Sequence, residues 1–341
     1  MLAATYLRSR PQVRHRRPAG RRSPRNPIVA ARNAVLGVVS LWAAAALAQD
    51  GEGRVGKHAA PIEDKQNRGQ RRLADVSHVV VLGDSISRGL GAQRPELSFA
   101  SLLVDNDDER YPDDAGADLR HWLGPDVRFI NLAHEGDTTY DVMVRQLPAL
   151  MELLHREAAQ HVGGSYLDGG RVVLPGRLLL VMTAGGNDLQ EALRPNSDFT
   201  GGTLNRSVVN LRSLIDTFRD PEVFAGGADV YFSNVYDVTD GEDHLMSCME
   251  GMAFPGVSHA LEEWSARYQR LADSERANMV DALSLFRGHA HNYANPNNPH
   301  FDAEDPTLWL YNRDCIHPNN LGHHMLRRAF LQRIERNLPR R

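Results

Sequence analysis

His78-Val79-Val80-Val81-Leu82-Gly83-Asp84-Ser85-Ile86-Ser87 is the stretch on which the reading of the fold turns. Its first half is a short β-branched run, apolar on consecutive positions, which suits a strand covered on both faces. Its second half is made of small turn-forming residues, so the strand ends in a tight loop. That loop lifts the hydroxyl of Ser85 to the carboxyl edge of a sheet, where open α/β folds bind their ligands. A serine so placed is a candidate nucleophile, provided the chain also supplies a base, an orienting acid and donors for an oxyanion.

Strand and helix signals alternate along the rest of the chain. Strands are expected at 78–83, 127–132, 177–183 and 229–234, with a weaker fifth near 278–282. Helices are expected at 139–157, 203–219, 258–275 and 319–337. The last carries Leu321, Met325, Leu326, Phe330, Leu331 and Ile334 at three- and four-residue steps. Pro318, Asn319 and Asn320 form its start signal, which leaves His317 just outside the N-terminus. The alternation predicts one three-layer α/β/α domain over 75–341, built on a mainly parallel five-stranded sheet.

The segment ahead of that domain is different material. Residues 1–48 hold nine arginines and no acidic residue, and they close with an apolar stretch running from Ala34 to Ala48. A basic region, a short apolar region and the small-x-small end Ala46-Leu47-Ala48 read as an export signal cleaved before Gln49. An exported protein, secreted or periplasmic, is the expectation. The apolar stretch falls short of the about 20 residues a membrane span needs, so no stable span is expected after cleavage. Residues 49–74, rich in glycine and charge, read as a flexible linker.

Without residues 1–48 the chain keeps 30 basic and 43 acidic residues, a net charge of about −13. An acidic body argues against nucleic acid as a partner, because such binding rests on neutralising phosphates. Lys57 and Lys65 are the only lysines, which excludes a Walker lysine, a Schiff-base lysine and a Ser-x-x-Lys pair from the folded domain. The two cysteines, Cys248 and Cys315, are a candidate disulfide in an exported protein; two unrelated buried thiols is the alternative.

Three further strings follow the serine in order. They are Asn131-Leu132-Ala133-His134-Glu135-Gly136, Gly185-Gly186-Asn187-Asp188 and Asp314-Cys315-Ile316-His317-Pro318. Together with Gly83-Asp84-Ser85-Ile86 they resemble the SGNH (GDSL-type) hydrolase superfamily over about residues 75–335. Ile86 stands where the family name has leucine, a conservative change. The resemblance implies a flavodoxin-like sandwich with strand order 2-1-3-4-5. It also implies ester hydrolysis through an acyl-serine, without metal or organic cofactor.

The carried-over roles have physical reasons. Ser85 attacks the carbonyl but needs a base, and the imidazole of His317 can take its proton and return it to the leaving alcohol. Asp314, three residues earlier, fixes the imidazole tautomer. The oxyanion donors implied are the backbone N–H groups of Ser85 and Gly136 and the side-chain amide of Asn187. Asp188 reads as a structural cap or a supporting residue behind the site rather than a catalytic one.

The remaining features are read more plainly. The acid-rich stretch 105–126 lacks the ligand order of a calcium loop and reads as solvated. His289, His291, His300, His323 and His324 show no metal-site spacing. The loop 284–312, with Tyr293, Trp309 and Tyr311, is expected to border His317 and shape an acyl pocket. Leu90, Phe99, Leu102, Met249, Met252 and Phe254 are candidates for an acyl groove, with plain core as the alternative. The substrate expected is a lipid or short-chain ester; a carbohydrate O-acetyl ester is the runner-up, and a silent binding module on the same fold is the reading from another class. Oligomeric state is left open.

Overall fold

A computed structural model describes residues 73–160, 167–168, 171–192, 202–245, 247–248 and 253–338. The export signal at 1–48 and nearly all of the linker lie outside the described residues. Leu73 and Ala74, expected in the linker, instead form a 3-10 turn with Asp75, and Leu73 is buried in the core. The folded body therefore includes these two residues: a leucine that buries its side chain is held by the domain.

Five parallel strands form the sheet: β1 (Val76–Gly83), β2 (Arg128–Asn131), β3 (Arg177–Thr183), β4 (Ala228–Ser233) and β5 (Asn278–Val280). Their order is β2-β1-β3-β4-β5, every neighbouring pair parallel. The order expected from the family resemblance is the one found. A separate two-residue ribbon pairs Leu167–Asp168 with Arg171–Val172.

The helices that cover the sheet and frame its carboxyl edge are α1 (Ser85–Arg88), α2 (Phe99–Val104), α3 (Leu147–Gln160), α4 (Gly186–Ala192), α5 (Gly202–Arg219), α6 (Val257–Ser274) and α7 (Asn320–Asn337). The long helix expected at 139–157 is α3 preceded by an α turn, Thr139–Asp141, and a π turn, Val142–Gln146. Thr138 and Asp141 form a reciprocal capping box at its start.

The consecutive apolar residues of the strands divide between two cores, as period two requires. Val80, Leu82, Leu178, Leu180, Met182, Val230 and Phe232 face α3, α5 and α6. Val79, Val81, Leu179, Val181 and Tyr231 face α2 and α7. Each central strand is buried on both faces, which is why these segments carry almost no polar residue. The carboxyl ends of β1 and β3 then converge, and the turns that leave them carry the site.

Candidate active site

β1 can turn sharply because its last residue is glycine. Gly83 has φ +121°, and a Cβ there would lie 2.0 Å from the Thr183 carbonyl oxygen. Asp84 caps α1, accepting the Ile86 N–H at 3.0 Å and the Thr183 hydroxyl at 2.7 Å. Ser87 accepts the Thr183 N–H at 3.0 Å, so the β1 turn is stitched to the end of β3. Burial pushes the Asp84 carboxyl up to about 6, against the hydrogen bonds from Thr183 and Ile86. Ser85 occupies the first position of α1, where backbone N–H groups have no partner within the helix.

The second wall is a hairpin-like loop ahead of α7. Leu310 pairs with Pro318, the Tyr311 N–H donates to the His317 carbonyl at 2.7 Å, and the Asn319 N–H donates to the Trp309 carbonyl at 2.8 Å. Asn319 also caps α7, accepting from the N–H groups of Leu321 and Gly322. At the tip, one Asp314 oxygen accepts the N–H groups of Ile316 and His317, each at 3.0 Å, and the other meets His317 Nδ1 at 2.9 Å. His317 Nε2 lies 2.7 Å from Ser85 Oγ.

A carboxylate on Nδ1 fixes the tautomer with the proton there, leaving the Nε2 lone pair to accept the serine hydroxyl. Partial burial pushes the Asp314 carboxyl up, but the N–H donors and the imidazole outweigh it and hold the group below the usual carboxylate range. It is a permanent anion at neutral pH. Tyr236, stacked on Phe286, donates its hydroxyl to the Ile316 carbonyl at 2.6 Å and pins the tip from below. Cys315, at φ +63°, is bonded to Cys248, with Cα atoms 5.8 Å apart.

The third wall follows β2. Gly136 has φ +80°, and a Cβ placed on it would meet nothing within 4 Å, so its backbone is open to an incoming ligand. Asn187, near the start of α4, donates its amide to the Asp137 carbonyl at 2.9 Å and ties the Gly136 loop to the β3 turn. Its neighbour Asp188 accepts the Thr139 N–H at 2.9 Å and hydroxyl at 2.6 Å, the structural role expected of it.

The sequence profile of the GDSL-like lipase/acylhydrolase family matches residues 81–325, most of the chain. The chain belongs to this family. It is accordingly a carboxylic ester hydrolase. Among solved structures, this GDSL-type chain is similar to the acetyl xylan esterase AlAXEase, with 16% identity and a TM-score of 0.45 over 75% of this chain and 98% of that one. Axe2, an acetylxylan esterase from Geobacillus stearothermophilus, aligns at 17% identity and TM-score 0.43, covering 76% and 94%. The esterase EstA from Pseudoalteromonas sp. aligns at 16% and 0.42, covering 76% and 97%. No curated protein matched in the sequence comparison.

Several candidates of this hydrolase lie elsewhere. Phe99 and Leu102, proposed for an acyl groove, are fully buried; Phe99 stacks on Phe330 and His323 beneath α7. α2 packs against α7, so both side chains are core. Leu90 and Phe254 are half-buried, and Met249 and Met252 lie outside the described residues. Trp309 is also core, stacked on His289 at 3.7 Å, whereas Tyr311 does border His317 through its backbone.

His291 bonds to Ser247 and to the Cys315 carbonyl, and His324 faces Asp114 at 3.1 Å. Among the described residues, Cys248, His291 and Cys315 bring three ligand-type atoms within 4.8 Å, but both sulfurs are spent on the disulfide. In the acid-rich stretch, Asp114 is met by Arg327 and Arg328, cations of the chain itself, and by the ring of His324. No helix among the described residues is long and apolar enough to cross a membrane.

Proposed function

We propose that this hydrolase is an exported serine esterase that cleaves lipid or short-chain carboxylic esters through an acyl-Ser85 intermediate. The observation that carries the reading is the continuous relay from Asp314 through His317 to Ser85, with contacts of 2.9 and 2.7 Å. Ser85 Oγ adds to the ester carbonyl while His317 Nε2 takes its proton. The negative oxygen that forms is met by the N–H groups of Ser85 and Gly136 and by the amide of Asn187. Collapse expels the alcohol, which receives the proton from His317. Water then repeats the sequence on the acyl-serine, releasing the acid and restoring Ser85.

An apolar acyl group is favoured by what flanks these residues. Ile316 and Leu321, on either side of His317 in sequence, are 38% and 37% exposed, and Tyr140, four residues after Gly136, is 56% exposed. Large apolar side chains left in water a few residues from the proposed catalytic groups suit an apolar ligand. Export is supported by the composition of residues 1–48 and by the disulfide, which persists in oxidising compartments.

A serine-directed phosphonate tests the chemistry: it should label the wild-type chain and leave Ser85→Ala unlabelled. p-Nitrophenyl esters of graded chain length then test the acyl preference. Equal labelling of both proteins would end the acyl-serine reading; turnover confined to acetylated sugars would replace the substrate class.

A further inference from the structure

Gln146 spans two of the segments that meet at the site. It closes the π turn Val142–Gln146, and its side chain is buried, at 4% exposure. The amide oxygen accepts the Gly83 N–H at 2.8 Å, and the amide nitrogen donates to the Gly83 carbonyl and to the Asp137 carboxylate, both at 2.7 Å. Both amide hydrogens are used, so a fully satisfied polar group stands where an apolar residue would be the default.

The partners explain why that matters. Gly83 lies two residues before Ser85, and its carbonyl also accepts the His134 N–H at 3.1 Å. Asp137 directly follows Gly136, receives the side chains of His134 and Arg145, and offers its carbonyl to Asn187. One side chain thus connects the turn that carries the serine to the loop on which Gly136 and Asn187 are tied together. The π turn is what aims it. Winding that stretch as a plain α-helix, one residue shorter per turn, would swing position 146 by about 100° around the axis. π turns of this kind recur at functional sites.

We propose that Gln146 is a positioning residue for the oxyanion donors: it fixes the separation of the Ser85 and Gly136 N–H groups, and it acts on turnover rather than on substrate binding. The proposal rests on the acyl-serine reading. Because both donors belong to backbone, their spacing can be set only by whatever holds the two segments together. Within the β1 turn and the Gly136 loop, Gln146 is bonded to both.

The test uses Gln146→Leu, which removes all three bonds, and the isosteric Gln146→Glu, which keeps the acceptor for Gly83 and loses the donors as an anion. Each is measured in the full chain for kcat per phosphonate-titrated Ser85, for KM and for melting temperature, beside Ser85→Ala. In both variants kcat per titrated site should fall by about 10²-fold, the loss expected when reacting groups move by about an ångström, with KM changing far less. An unchanged kcat per titrated site in either folded variant overturns the proposal, as does a loss confined to KM. Failure of both variants to fold also counts against it, since Gln146 would then support the fold rather than the donors. An active Ser85→Ala would sink the acyl-serine reading instead, whatever Gln146 does.

Discussion

A Cβ on Gly91 would lie 2.2 Å from the carbonyl oxygen of Pro318 and 3.0 Å from Cβ of His317. The loop after α1 therefore rests directly against the backbone of Pro318 and the Cβ of His317, and φ +88° at Gly91 makes the contact compatible with glycine. Gly91→Ala should push the His317 segment away from Ser85. We expect kcat on an aryl ester to fall by about 10²-fold with the fold retained. Wild-type kcat in a folded Gly91→Ala protein would show that the loop yields without disturbing the pair.

Ser85→Ala and His317→Ala should each bring kcat close to background. In the proposed mechanism the two act as one unit, so the double variant should be little slower than either single one. Kinetics of all four proteins under one set of conditions decide it; additive losses would mean that the two residues work separately.

Asn187→Ala should lower kcat by about 10²–10³-fold, the usual loss of one oxyanion donor, with a smaller effect on KM. A rise in KM at constant kcat would recast Asn187 as a binding residue.

Burial holds His323 at about 4, while its ring accepts the Phe99 N–H and donates to the Leu90 carbonyl. An imidazole in the unfolded chain titrates near 6.5, so as pH falls the unfolded state takes up its proton first. The contribution of the neutral ring is complete above pH 6.5 and is lost progressively toward pH 4, roughly 3 kcal/mol in all. His324, also held at about 4 by burial, adds a slope of the same sign. Asp84 and Asp240, raised to about 6 by burial, act in the opposite sense as they protonate. Urea midpoints at pH 7 and pH 4.5 should diverge less for His323→Gln than for the wild type. An equal divergence would remove His323 from the account.

The bridge between Cys248 and Cys315 closes a separation of 67 residues, which in the chain-entropy model stabilises the fold by about 4 kcal/mol. Its local effect falls on Cys315, one of the two residues between Asp314 and His317. Mild reduction should lower activity before the domain melts, and intact mass with and without alkylation reports the bridge itself. Two free thiols in the non-reduced protein would refute it.

The signals that could be read in the chain were local ones. β1 and its turn are contiguous, and β3, β4, α5, α6 and α7 fall within a residue or so of their expected bounds, because long periodic runs carry their own evidence. α2 was illegible for the opposite reason. Six residues hold too little periodicity to decide between groove and core for Phe99 and Leu102, and α7, which covers them, decides for core. Within the site, Ser85 is marked by the small-residue turn that ends an apolar run, and the roles of Gly136, Asn187, Asp314 and His317 come from the family resemblance of their strings. Gln146 and Tyr236 carry no such mark. Each sits in a segment that reads as ordinary helix or loop, and the contacts to Gly83 and Ile316 span 63 and 80 residues. Nothing near them in sequence hints at the contact.

The proposed catalytic pair, Ser85 and His317, is 232 residues apart in the chain. The proposed nucleophile follows the first strand of the sheet, and the proposed base precedes α7. A ribosome or an export channel releasing this chain from its N-terminus would therefore deliver the serine long before its activator. Hydrolysis cannot begin on a partly emerged chain, and the onset of turnover becomes a clock for the closing of the domain.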